Sequence, residues 1–198
     1  MYKRQLGTLN LKLEIIIDMR ITKEHTIGLV VDIQERLVPA MEENEQFVEN
    51  CIKLIQGLQI LGLPLLVTQQ YSKGLGETIP EIKSVINDFQ YIEKKDFSCF
   101  DEPAVAEKLA LSGVKNVIIC GIESHVCVLQ TAIDLKDSGY VPIVVMDCIS
   151  SRSFDNMDLA SERFRYEGIM MTSLESILFE LTRSASATEF KEISKLVK

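Results

Sequence analysis

The sequence predicts an α/β fold built around a parallel sheet. From Thr26 onward, short β-rich runs alternate with segments of helical periodicity, the pattern left by successive βαβ crossovers. The first run, TIGLVV at 26–31, is almost continuously apolar, as a strand buried on both faces should be. With 198 residues, 46% of them hydrophobic and 25% charged, the chain can bury one sizeable core and is short for two ordinary domains. We therefore read residues 21–198 as a single domain. Residues 1–20 read as an N-terminal extension without functional weight, with Met19 available as an alternative start.

The elements follow in order. After the first strand comes a helix over 44–61, whose Phe47, Cys51, Leu54, Ile55 and Leu58 form one apolar stripe; Gly62 ends it. A second strand spans 64–68 and leads into a polar loop, 69–77, that contains two glycines. A third strand, about 89–93, runs into the polar loop 94–101. Pro103 sits in the first turn of a helix over 102–111, where its missing N–H costs nothing. The fourth strand is NVIIC at 116–120, followed by a helix over 124–138 and a strand over 141–146. A helix at 155–166, a strand at 169–171 and a helix at 174–181 complete the alternation, and the tail 188–197 suits one more short helix.

Composition narrows the function. The formal net charge is −8 and no run of Lys or Arg exceeds two residues, so nucleic acid is not an expected partner. The five cysteines, Cys51, Cys99, Cys120, Cys127 and Cys148, include no CxxC pair; they suit neither a disulfide framework nor a zinc site and fit a reducing compartment. His25 and His125 are the only histidines and lie far apart in sequence, so no metal and no cofactor are expected. No apolar run reaches the roughly 18 residues that span a bilayer. The alternating stretch 9–18 lacks the long apolar region of a signal peptide, so the expected location is the cytoplasm, without membrane contact.

In open parallel sheets, ligands bind where the loops leave the carboxyl ends of the strands. Three residues stand at such points: Asp32, Lys94 and Cys127. Taken singly, Asp32 suits a turn or helix cap, Lys94 suits a solvated loop as well as Lys95 does, and Cys127 suits a buried structural thiol. Cys127 carries more information, because GIESHVC at 121–127 places it in the first turn of a helix with Ser124 as the expected N-cap. Unpaired N–H groups there are expected to lower its pKa and to bind an oxyanion. Together the three supply a thiolate nucleophile, a carboxylate that moves a proton, and an ammonium that holds charge.

These segments resemble the isochorismatase-like cysteine hydrolases. The matching runs are LVVDIQ (29–34), EKKDFSCF (93–100), VIICGIESHVCV (117–128) and VMDCISSR (145–152). Within that family the chain is most similar to the isochorismatase domain-containing proteins, through TQQYSKGLGETIP (68–80) and FKEIS (190–194). The resemblance implies a three-layer, doubly wound parallel sheet of order 3-2-1-4-5-6 and assigns the triad to Asp32, Lys94 and Cys127. It also implies a cis peptide bond at Ile122–Glu123, aiming the N–H groups of Glu123 and Cys127 at an oxyanion, and a homo-oligomer.

Nicotinamidases in the same family hold a metal through an Asp and histidines after the second strand. The corresponding loop here, 69–74, contains no histidine, which disfavours that metal. Members acting on isochorismate need no covalent nucleophile, so Cys127 does not select that substrate. The expected activity is hydrolysis of a small molecule at an amide-like C–N bond through a Cys127 thioester. The rival readings are a catalytically silent interaction protein of the same fold, a nicotinamidase-like or isochorismatase-type enzyme, and a redox sensor pairing Cys127 with Cys148 or Cys99. Gln69, Gln70, Tyr71 and Phe100 are candidate pocket walls. Gln34 and His125 are candidates to orient the site, with loop hydrogen bonding and an exposed first turn as the alternatives.

Overall fold

The computed structural model describes residues 20–198; the extension read over residues 1–20 therefore lies outside the described residues except for Arg20. Six parallel strands form one sheet of order 3-2-1-4-5-6, as the resemblance implies: β1 Thr26–Val31, β2 Leu65–Gln70, β3 Ile92–Lys94, β4 Asn116–Ile122, β5 Val141–Ser150 and β6 Met170–Thr172. The helices are α1 Asn44–Ile60, the single turns α2 Ser72–Leu75 and α3 Pro80–Lys83, α4 Pro103–Ser112, α5 Leu129–Asp137, α6 Phe154–Tyr166, α7 Leu174–Thr182 and α8 Phe190–Leu196. Both outer strands, β3 and β6, are only three residues long, which leaves little unpaired edge.

The pleat sorts β1 onto two cores. Val30 joins the layer formed with α1, α7 and α8, while Leu29 and Val31 join the layer formed with α4, α5 and α6. The cysteines divide the same way. Cys51, Cys120 and Cys148 lie on the α1 side, and Cys99 and Cys127 on the α5 side. A pairing of Cys127 with Cys148 is therefore blocked by the sheet itself, which removes that form of the redox reading.

Several expected boundaries shift. β2 continues through Gln69 and Gln70, which the sequence reading placed in a loop, and β3 begins at Ile92 rather than near Phe89. Polar side chains at a strand end mark a site as readily as a loop, and here they extend the pairing with Glu93 and Lys94. β5 runs to Ser150 because a bulge lets it resume pairing: Ile119 pairs with Val144, and then Gly121 with Ile149. The helix read over 124–138 is a π-turn, Ser124–Val128, followed by α5.

Gly121 marks the tightest approach in the sheet. Its φ is 122°, and a Cβ there would stand 2.0 Å from the carbonyl oxygen of Val31. Gly121→Ala is therefore expected to cost about 3 kcal/mol or more in urea unfolding. By contrast, Gly62→Ala, at φ 77° but with open space around the new methyl, should cost about 1 kcal/mol.

Candidate active site

The site forms where β1, β2 and β3 end side by side. Asp32 turns out of β1 in a left-handed conformation, φ 52°, and its N–H donates to the Thr68 carbonyl at 3.3 Å. Lys94 is the last residue of β3, two strands away. Its Nζ reaches over β2 to Asp32 Oδ2 at 2.6 Å, with both side chains fully buried. The intervening strand serves both ends of this pair. Thr68 Oγ1 donates to Asp32 Oδ1 at 2.8 Å, and Gln70 Oε1 accepts from Lys94 Nζ at 2.6 Å.

Lys94 Nζ also donates to the carbonyls of Asp96 and Phe97, each at 3.2 Å. Four oxygens thus surround an ammonium that has three protons to give. Burial pulls the Lys94 pKa down, but the neighbouring Asp32 carboxylate, with Cys99 and Cys127, leaves it above the ordinary 10.5. Lys94 is a fixed positive charge rather than a proton carrier. Burial pushes the Asp32 carboxyl up from 3.8, opposed by the Lys94 charge and by hydrogen bonds from Lys94, Thr68 and Cys127.

Cys127 projects from the π-turn after β4 and is 7% exposed. The N–H groups of Val126 and Val128 both donate to the Glu123 carbonyl, at 3.1 and 3.2 Å. The expected lowering of the thiol pKa does not occur. Burial first, and the adjacent Asp32 charge second, push it up to about 12, against partial relief from Lys94. A carboxylate neighbour and loss of water outweigh the favourable end of a short coil. At rest, Cys127 is a neutral thiol.

The Ile122–Glu123 peptide bond is cis. The Glu123 carboxylate clamps the loop after β5, with Oε2 accepting from the Arg152 N–H at 3.2 Å and from Arg152 Nε at 2.9 Å. Ser124 does not cap the helix as expected. Its hydroxyl lies 2.5 Å from that of Ser151, and His125 Nδ1 lies 2.9 Å from the same Ser151 oxygen. The turn that carries Cys127 is thereby tied to the end of β5.

The remaining candidates separate by face. Gln34 is wholly buried and is engaged by backbone: Nε2 donates to the carbonyls of Gln70 and Gly76, and Oε1 accepts from the Gln70 N–H. It ties the end of β2 to the Gly76 loop. Gln69 points to the opposite side of the sheet from Gln70, donating to Thr78 Oγ1 and accepting from Ser72. Tyr71 is half-exposed, with its N–H on the Lys94 carbonyl and its ring over Gly74. Phe100 packs edge-on against Tyr140, ring centroids 5.8 Å apart.

Two contacts escaped the sequence reading. Thr68 holds Asp32, and Cys99 places its sulfur 3.5 Å from Thr68 Oγ1. Period-two alternation from Leu66 through Thr68 to Gln70 was the signal that could have found the first. No group of three His, Cys, Asp or Glu side chains among the described residues is arranged to hold a metal. The Gln69 and Gln70 amides at the end of β2 and the Tyr71 phenol after it also do not fit a resident cation of the nicotinamidase kind.

The sheet order and a buried Asp–Lys pair facing a cysteine define the isochorismatase-like class of α/β folds. A model of the isochorismatase domain matches residues 26–176. Isochorismatase domain-containing protein 2A of Mus musculus is 36% identical over 181 residues, covering 90% of this chain and 85% of the mouse protein. The solved structure of the MAR1 ribonuclease from Caenorhabditis elegans has a TM-score of 0.85 at 34% identity, covering 90% of this chain and 92% of that one. The YcaC gene product of Escherichia coli, an octameric hydrolase of unknown specificity, shares the fold at TM-score 0.84 and 23% identity, covering 90% of each chain. The chain belongs to the isochorismatase family, and that domain and fold support a hydrolase-like function.

The electrostatics give two testable consequences. With a thiol near 12, alkylation of Cys127 by iodoacetamide should rise about tenfold per pH unit from about pH 7 to 10 without a plateau. Asp32→Asn removes a charge that raises the thiol pKa and keeps Lys94, so the rate at about pH 8 should increase by about tenfold or more. Separately, Lys94→Met leaves a buried carboxylate unpaired and should cost about 3–5 kcal/mol near neutrality. Asp32, whose folded pKa already lies above 3.8, would rise further. The deficit relative to wild type should therefore grow as pH rises through the folded pKa and shrink toward 3.8 and below, where the carboxyl is protonated in both states. Denaturant titrations at several pH values measure it.

Proposed function

We propose that the protein is a cysteine hydrolase that cleaves an amide-like C–N bond of a small molecule through a thioester on Cys127. The observation that carries this reading is the buried Asp32–Lys94 pair beside a neutral Cys127 thiol. A thiol near 12 is a poor nucleophile until its proton leaves, and Asp32 is the adjacent base. The proton passes to Asp32 as sulfur attacks the carbonyl carbon. Lys94, held charged, offsets the negative charge that develops, and the N–H groups of Glu123 and Cys127 receive the oxyanion.

Collapse of the tetrahedral adduct expels the amine, which takes the proton from Asp32. Water then attacks the thioester, giving its proton to Asp32. Departure of sulfur releases a carboxylic acid and restores the thiol. In this reading His125 and the exposed ring of Tyr71 serve as substrate contacts. The free cysteines suit a reducing cytoplasm, and α6 offers exposed Leu159 and Tyr166 to a second copy in a homo-oligomer.

Amides, hydroxamates and isochorismate should be screened with intact-mass detection of an acyl adduct. A substrate should leave its acyl mass on Cys127, and Cys127→Ala should lower turnover by about 10³-fold or more. Full turnover by the alanine variant, or cleavage of an RNA oligonucleotide as the sole activity in the same panel, would sink the proposal.

A further inference from the structure

The hydroxyl of Thr68 sits in the middle strand of the site with 0% exposure, where an unsatisfied polar group is costly. It has two neighbours, Asp32 Oδ1 at 2.8 Å and Cys99 Sγ at 3.5 Å. An ionised carboxylate has no proton to give, so the single Thr68 proton goes to Oδ1. The Thr68 oxygen must then accept from Cys99, and the direction of the whole chain is fixed: Cys99 S–H to Thr68, Thr68 O–H to Asp32. Cys99 can fill this role because it is a protonated thiol, pushed up to about 11 by burial and by the Asp32 charge. Its N–H donates to Thr131 Oγ1 at 2.8 Å, which anchors it to α5.

The other oxygen of the carboxylate differs. Oδ2 meets Lys94 at 2.6 Å, yet among the described residues it is the one buried side-chain oxygen or nitrogen left without a hydrogen bond of regular geometry. Oδ1 is therefore held by the Thr68 hydroxyl and Oδ2 by the Lys94 ammonium.

We propose that Thr68, aligned by Cys99, is the positioning residue that holds Oδ1 of Asp32 and so dedicates Oδ2 to receiving the Cys127 proton. The proposal rests on the reading of Asp32 as proton acceptor. Without the hydroxyl, the carboxylate loses its second anchor and the donor that favours its charged form, and either oxygen can turn toward the thiol.

The test is the titration of Asp32 in full-length protein labelled with ¹³Cγ-aspartate, its resonance identified by its absence in Asp32→Asn. In Thr68→Val the midpoint should rise by about one pH unit, because a donor to the charged form is lost. In Thr68→Ser, which keeps the hydroxyl, it should return to within about 0.3 unit of wild type. An unchanged midpoint in the valine variant overturns the proposal, as does a serine variant shifted as far as the valine one. If the valine variant does not fold, Cys99→Ala read in the same spectra should shift upward by a smaller amount, and no shift overturns it. This readout needs no substrate, so an active Cys127→Ala enzyme would defeat the hydrolase mechanism while leaving the titration result standing.

Discussion

A buried ion pair spanning three strands is the constraint around which the site is arranged. Asp32 and Lys94 leave water completely and recover the cost only if each is held by further partners. β2 supplies those partners at positions i and i+2, which share a face: Thr68 for the anion and Gln70 for the cation. Neighbouring parallel strands lie about 4.8 Å apart, so a side chain crossing β2 must reach roughly twice that, less what the approaching Asp32 covers. Lysine has the reach for this. A one-residue slip of β2 would turn Thr68 and Gln70 to the α1 side and leave both ions bare.

The same pair explains why the Cys127 thiol is protonated. A lone ammonium beside Cys127 would favour thiolate, but the ammonium here is outweighed by the carboxylate, and burial penalises any third charge. The charge pattern is that of a stored ion pair next to a neutral thiol. Burial and the Asp32 charge thus disfavour a free Cys127 thiolate at rest near neutrality. Lys94 contributes a field whose position is fixed by four oxygens.

The fold was legible because the apolar runs of β1 and β4 and the stripe of α1 are patterns that burial imposes directly. Strand order was not readable from periodicity and came through the motifs. Asp32, Lys94 and Cys127 were legible as residues at strand exits. Their electrostatic state was not, because helix-end effects are local in sequence while burial and the Asp32–Lys94 pair are properties of the assembled sheet. Gln69 and Gln70 show the limit most clearly. Read as a loop they looked equivalent, but two more residues of β2 send Gln70 to Lys94 and Gln69 to Thr78. Thr68 stayed hidden because a threonine in a strand needs no explanation until a carboxylate lies across from it.

The end of β5 carries a second dependence. Two steps along β4, from Ile119 to Gly121, run beside five steps along β5, from Val144 to Ile149, so the excess must bulge. The bulged Asp147 uses its excursion: Oδ1 accepts from the Leu174 N–H at the start of α7, and its carbonyl accepts from Asn50 of α1. Resuming pairing at Ile149 sets Ser150 and Ser151 level with the exit of β4. There the Ser150 hydroxyl bonds the Glu42 carbonyl, and Ser151 meets Ser124 and His125. Without the bulge, Ser150 and Ser151 would overrun the Cys127 turn by three positions. The irregular strand therefore does for the Cys127 turn what β2 does for Asp32 and Lys94: it holds it by a neighbour in the sheet rather than by its own loop.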